Sequence, residues 1–395
     1  MINTSCSNVP YYYGIKDKVR LPFQDLDYFN QQFPKISKEK IVNESKNLEN
    51  PFMKSFVVHA TSGSTGTPLQ VKVSNRAESY RIANRMRFYN WWGLDFYDKH
   101  VLIWRSLEKE ASFLKNFLKQ FQYFLNGRLN IDVFDLNADT IYGYVKAIEK
   151  FRPKYLRGYK SGVLEFARLM YDNKLKIKDS KIQLIIVTSE VLLIEERRFI
   201  QDVFGVKVAN EYGAADGGQF AFECPEGSLH VNEESVLMTT DNMNNLCFTE
   251  LYNDKMPLIN YENQDKVIFS EKGCSCGRTL KVIDHIVGRT ADYIDCNDGT
   301  KKHSLIFIGM FNELQIKFNK SIKQFKVIQN GNSLIFEIIK DINYEPSIEG
   351  FLRKNVNTKV CGELKVLFKY VNKIDRESNG KLRYFVKKTS NRIRK

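Results

Sequence analysis

The chain has 395 residues, 43% hydrophobic and 27% charged, with 60 Lys and Arg against 46 Asp and Glu for a net charge of +14. At about 150 residues per domain this length carries one large core and a smaller second unit, and the composition excludes a disordered chain. The spread-out positive charge favours anionic partners such as nucleotides, coenzyme A, nucleic acid or an anionic membrane face.

The first residues, Met1-Ile2-Asn3-Thr4-Ser5-Cys6, have neither a basic lead nor an apolar stretch, so no signal peptide is expected. No apolar run approaches the ~18 residues that span a bilayer. Seven cysteines without a secretory signal point to a reducing, cytoplasmic setting, where clustered thiols mean metal more often than disulfide. Residues up to about Asn50 alternate polar and aromatic character and read as a helical antechamber to the main domain.

Next come two β-branched runs, Phe56-Val57-Val58 and Leu69-Gln70-Val71-Lys72-Val73, separated by Thr61-Ser62-Gly63-Ser64-Thr65-Gly66-Thr67-Pro68. The runs read as strands and the stretch between them as a loop. Glycines admit an anion close to the backbone, and hydroxyls and N–H groups donate to phosphate oxygens. It is not a Walker A loop, which ends in Gly-Lys-Ser/Thr and opens a helix. A flexible connector is the competing reading of the same composition.

Ser74 is placed to cap a helix from Ala77 toward Trp91. The pair Trp91-Trp92 reads either as the lining of an acyl pocket or as core. Asn137 is the expected N-cap of a helix through Ile148 that stops before Pro153. Tyr155 to Arg157, Ile182 to Val187 and Val206 to Ala209 read as strands, alternating with helices over Gly162 to Tyr171 and Ile194 to Phe204. Such alternation predicts a parallel sheet with helical crossovers.

Ligands gather at the carboxyl ends of parallel strands. Thr188-Ser189-Glu190 and the turn Asn210 to Gly218 fall there. Tyr212 can offer a flat face to a nucleobase, Gly213 can let the base come near, and Asp216 can hold magnesium. A glycine-rich turn with a helix-capping Asp fits the same residues.

Cys224, His230, Cys274 and Cys276 satisfy a tetrahedral zinc ion with no position left open, hence a structural site. Buried free cysteines are the alternative. From about Tyr293 alternating segments flank Asn330-Gly331-Asn332, a hairpin signal. With a helix from Pro346 and a strand from Glu363, they form a small α+β unit that ends at the polar turn around Lys381.

In order and approximate spacing, the loop Thr61 to Pro68, Tyr212-Gly213 with Asp216, Asp265, Gly288-Arg289 with Asp292, and Gly380-Lys381 resemble the motifs of adenylate-forming enzymes. The resemblance is strongest to the phenylacetate–coenzyme A ligase branch and its CapK-type members, associated with capsular polysaccharide biosynthesis. It implies an α/β fold with a large N-terminal domain, residues 1–291, of mixed sheets and helical crossovers, carrying a zinc-binding insert at about 222–278. A mobile α+β C-terminal lid, 292–395, would follow.

By position, Thr61, Ser62, Gly63, Ser64, Thr65 and Gly66 would wrap the ATP phosphates, Tyr212-Gly213 would take adenine, and Asp265 the ribose. Arg289 would contact ribose or phosphate, Asp292 would mark the hinge, and Lys381 would meet the α-phosphate and the carboxylate. Asp216, Arg289 and Lys381 would be the catalytic set. The set of four Cys and His ligands resembles a zinc site of some relatives.

Three positions depart from the pattern: Thr67 stands where many relatives have lysine, Asp216 where they have Glu, and Asn263-Gln264 where they often have Thr-Gly. The resemblance implies activation of a carboxylic acid by ATP and magnesium, then transfer to coenzyme A or to an amine such as an amino sugar. No nucleic acid is expected as a partner, while the basic tail, Lys387, Lys388, Arg392, Arg394 and Lys395, reads as solvated surface or a peripheral membrane contact. The rival readings are a basic zinc protein that binds nucleic acid, for which no concentrated stripe or known module is present, and an adenylation fold that has lost catalysis.

Overall fold

Apolar runs without alternation become buried parallel strands in this protein. The computed structural model describes residues 1–60, 69–105, 122–289, 293–318, 321–377 and 380–388, and two units result, Met1–Val287 and Gly288–Lys395.

In the first unit, strands β1 (Ile36–Ser37), β2 (Phe56–Ala60), β3 (Gln70–Ser74), β4 (His100–Trp104) and β5 (Arg128–Asp132) come first. They are followed by β6 (Tyr155–Tyr159), β7 (Leu184–Thr188), β8 (Lys207–Ala214), β9 (Gly218–Glu223), β10 (Leu229–Val231), β11 (Val236–Thr240), β12 (Asn245–Glu250), β13 (Tyr261–Phe269) and β14 (Val282–Arg289). Among the described residues one sheet runs β11-β12-β13-β14-β10-β9-β8-β7-β6-β4-β5, with β1 added at β13. The β4 to β8 portion is parallel, and β8 meets β9 antiparallel. This mixed α/β architecture is the expected one.

Helices Ile141–Phe151, Lys160–Asp172 and Ile194–Phe204 cover one face of the parallel portion, around Leu156, Ile185 and Val187. The last of them stops at Gly205, whose φ of 70° suits a residue without Cβ. The other face receives the helix Asn75–Asn90, capped by Ser74, whose hydroxyl accepts from the Ala77 N–H at 3.2 Å. Asn137 does not cap the next helix. Its side chain accepts from the Asp139 and Thr140 N–H groups, and this local turn delays the helix to Ile141.

The N-terminal residues are part of the same core. Tyr12 and Phe33 pack with Leu258 and Tyr261, and the Tyr12 hydroxyl donates to Pro257 O at 2.9 Å.

In the second unit, β15 (Tyr293–Asp295) pairs with β16 (Lys301–His303). Strands β17 (Ile322–Asn330) and β18 (Ser333–Lys340) form the hairpin foreseen at Gly331, flanked by β19 (Lys365–Tyr370) and β20 (Phe385–Lys388). The helix Leu305–Lys317 and the helix Ser347–Asn355 contribute Phe307, Phe311, Ile348 and Leu352 to its core. Cys296 and Cys361 are joined as a disulfide with Cα atoms 5.9 Å apart, a pairing that an expectation of metal-bound thiols does not anticipate.

Candidate active site and metal centre

Tyr212 lies on β8 itself. The turn expected over Asn210 to Gly218 is shorter, only Ala215-Asp216-Gly217 between β8 and β9. Its glycines serve close packing: a Cβ on Gly213 would sit 2.4 Å from Gly218 O, and one on Gly217 would strike the rings of Phe220 and Phe248. The Tyr212 ring is 9% exposed and meets Phe220 edge-on. An open stacking platform is therefore not what β8 presents.

What the fold does bring together is Tyr212 and Asp265, 53 residues apart. The Tyr212 hydroxyl donates to Asp265 Oδ2 at 2.8 Å. Asn263 Nδ2 donates to the same oxygen at 3.2 Å, and the Asp265 N–H donates back to Asn263 Oδ1 at 3.1 Å. A buried carboxylate is thus held in one orientation by a phenol and an amide. Gln264, between them, has φ of 70°, a conformation that favours glycine. The resemblance implies Gly at this position.

Asp216 is buried, and its Oδ2 accepts from the Tyr261 hydroxyl at 3.1 Å. Lys381 follows Gly380, which has φ of 85°, in a turn closed by bonds from Glu377 N to Lys381 O and from Gly380 N to Glu377 O. Arg289 is the last residue of β14, and its side chain lies outside the described part. So do the loop Thr61, Ser62, Gly63, Ser64, Thr65 and Gly66, and Asp292. The loop's flanks are described, and β2 and β3 pair antiparallel on either side of it.

Buried ion pairs escaped the sequence reading, and two of them cross between elements of the large sheet and its helix. Arg81 grips Glu250 with both ends of its fork, Nε to Oε1 at 2.7 Å and Nη2 to Oε2 at 2.8 Å. Arg157 on β6 reaches across β7 to Glu211 on β8, with Nη2 to Oε1 at 2.5 Å. Burial alone would raise the Glu211 pKa, and the Arg157 guanidinium overrides it and holds the carboxyl below its ordinary value. A charged residue inside an apolar strand run was the one available signal.

The Cys/His residues converge at one end of β9 and β10. Cys224 follows β9, His230 lies on β10 opposite Phe222, and Cys274 and Cys276 come from the connection between β13 and β14. One ligand atom from each lies within 4.8 Å of the others. Cys224 Sγ is 3.7 Å from Cys274 Sγ, and Cys276 Sγ is 3.3 Å from His230 Nε2. A tetrahedral zinc with bonds of about 2.3 Å separates its sulfurs by roughly 3.8 Å, so the donor set fits.

His230 Nδ1 is 3.3 Å from Leu280 O, the outer contact that turns Nε2 toward the cluster. Burial pushes the Cys224 thiol up to about 11. At Cys274 burial is outweighed by hydrogen bonds from Ser228 and from Cys276, which bring it down to about 7. Trp91 stands edge-on to His230 at 5.8 Å, and Trp92 Nε1 donates to Glu223 O at 2.8 Å. The tryptophan pair therefore packs beside this cluster, the core reading of the two.

Residues 299–388 match the family described as the CapK C-terminal domain. Over 387 residues the chain is 23% identical to Protein CapK of Staphylococcus aureus, spanning 96% of this chain and 85% of that protein. It is 22% identical over 313 residues to a phenylacetate-coenzyme A ligase of Thermus thermophilus, spanning 71% of this chain and 63% of the relative. Among solved structures, 2-hydroxyisobutyryl-CoA ligase in the postadenylation state, with R3-HIB-AMP, superposes with a TM-score of 0.74 at 13% identity, over 98% of this chain and 86% of that one. The chain thus resembles CapK and the phenylacetate–coenzyme A ligases, and its fold is that of adenylate-forming ligases.

Proposed function

We propose that this chain, built on the fold of adenylate-forming ligases, activates a carboxylic acid with ATP. A carboxylate oxygen attacks the α-phosphorus, the bond to the β-phosphate oxygen breaks, and pyrophosphate leaves with the electron pair. In the second step a coenzyme A thiol or an amine attacks the acyl carbon and AMP departs. The amine version would suit an amino sugar in surface polysaccharide synthesis.

The observation that supports this reading most is the bond between Tyr212 and Asp265. Two residues far apart in sequence meet at one place, the Tyr212 hydroxyl orienting the carboxylate that the resemblance assigns to the ribose. Asp265 then takes the vicinal ribose hydroxyls, and the Thr61 to Gly66 loop and Arg289 the phosphates. Asp292 is the hinge. Lys381 supplies positive charge as the α-phosphoryl oxygens become more negative, which makes it the main source of transition-state stabilisation.

Magnesium would neutralise the departing pyrophosphate. Asp216 is its assigned holder, although this shorter acid already accepts from Tyr261. Cys224, His230, Cys274 and Cys276 would hold zinc as a structural staple between two turns.

ATP–pyrophosphate exchange across aryl, short-chain and amino acids tests the reading. Lys381→Ala is expected to lower exchange by roughly 10²–10³, as for loss of one preorganised donor; exchange at the wild-type rate would refute the assignment. For the metal, one zinc per chain is expected by elemental analysis. Its removal by chelation should lower Tm even where exchange is not assayed.

A further inference from the structure

The Cys/His cluster leaves a charge to be met. Three thiolates and a neutral imidazole around a dication sum to a single net negative charge, and two of the donors, Cys224 and His230, are fully buried. A buried charge destabilises the fold unless a partner answers it. Most of the cations around the cluster are engaged elsewhere. Arg197 pairs with Glu223 at 2.8 Å and Arg87 with Glu234, while Lys207 Nζ donates to Pro225 O at 3.5 Å.

Arg278 is placed differently. The turn from Cys274 is closed by Gly277 N to Cys274 O at 3.4 Å, and Gly277 has φ of 77°, the left-handed conformation that glycine takes without strain. That turn brings the next residue back to the cluster, where the Arg278 main-chain N–H and guanidinium both donate to the Cys276 sulfur. The same guanidinium lies 4.2 Å from the ring centroid of Trp91, and Trp91 in turn stands perpendicular to the His230 ring at 5.8 Å. One cation therefore meets a ligand sulfur directly and is pressed onto the indole that borders the imidazole. The flat, delocalised guanidinium suits both contacts, which a lysine ammonium would not reproduce.

We propose that Arg278 is the counter-charge of this metal centre, a positioning residue that neutralises the excess negative charge of the cluster and slows loss of the ion. The inference rests on the zinc reading of Cys224, His230, Cys274 and Cys276. It adds to that reading the residue outside the four that sets how firmly the ion is kept.

The test is zinc release from the full, zinc-loaded chain into excess EDTA, with 4-(2-pyridylazo)resorcinol reporting the metal in a parallel chase. Arg278→Gln is expected to release zinc about tenfold faster or more, inside the roughly 10–100-fold range for loss of a group that supports a metal ligand. Arg278→Lys should recover part of the difference, because it keeps the charge and loses the fork. Lys207→Gln removes an equal charge nearby without a contact to a ligand sulfur, and should change release by less than about threefold.

Cobalt(II) loaded in place of zinc separates this effect from a lost ligand: its thiolate charge-transfer bands should be the same in Arg278→Gln as in the wild-type chain. Release from Arg278→Gln at the wild-type rate, or an equal acceleration by Lys207→Gln, overturns the inference alone. If Arg278→Gln takes up no metal, Arg278→Lys decides, and release at the wild-type rate from that variant overturns it. A wild-type chain that holds no zinc and gives no cobalt–thiolate bands removes the zinc reading and this inference with it.

Discussion

The parallel and antiparallel halves of the large sheet are held in different ways. From β5 to β8, Leu156, Ile185 and Val187 are sealed under three helices, and on that face stability comes from apolar area removed from water, the Arg157–Glu211 pair lying on the other face. From β9 to β14 the same sheet buries Glu250, His230 and Asp265, and each must find a partner or destabilise the fold. One half tolerates change in chemistry badly and the other tolerates loss of volume badly, so the residues suited to hold ligands concentrate where polarity is already satisfied.

The sharpest break of this contrast is at Arg81. Arg81→Met alone should cost about 3–5 kcal/mol by leaving Glu250 charged and buried, and adding Glu250→Leu should return most of it. Ile185→Ala on the parallel side should cost about 2–5 kcal/mol, with no second change at a distant residue able to restore it. Urea unfolding reads both; an Arg81→Met loss under 1 kcal/mol would erase the distinction.

A smaller effect separates the polar face of β4 and β6 from the sealed one. His100 has its pKa held at about 4 by burial and by Arg128, Arg157 and Arg85, against about 6.5 in an unfolded chain. The unfolded state then binds the proton first as pH falls from about 6.5 to about 4. Stability present above that window is lost through it, by no more than about 3 kcal/mol. His100→Asn should flatten this part of the pH profile, and an unchanged slope would place the titrating group elsewhere.

The smallest is a gain. Gln264 holds φ of 70°, so Gln264→Gly should relieve backbone strain and stabilise by up to about 1 kcal/mol in thermal unfolding. A loss instead would mean that the Gln264 side chain contributes more than its backbone costs.

The two halves also differed in how far they could be read in advance. Unbroken apolar runs such as Leu184–Val187 announce buried parallel strands, and Ser74 and Gly205 announce helix ends, because each signal is local. The antiparallel strands β10 to β12 gave no such pattern, since their polar residues are satisfied by partners elsewhere. Arg81 and Glu250 are separated by 169 positions, and nothing near either predicts the other. Tyr212 was read as part of a turn because Gly213, Gly217 and Gly218 surround it. Those glycines instead allow two strands to approach where a Cβ would collide. The Cys/His set was legible because thiol and imidazole in glycine-bounded turns have few other uses, and its four members do converge.

Of the three tryptophans in the chain, two stand against that cluster: Trp91 facing His230 and covered by Arg278 at 4.2 Å, Trp92 tethered to the strand that leads into Cys224. Indole emission is therefore an intrinsic gauge of order at this corner of the protein. Rearrangement of the four ligands would shift or quench the emission of these two indoles without any label, and a Trp104→Phe background would remove the third indole, which stacks on Tyr159 away from the cluster.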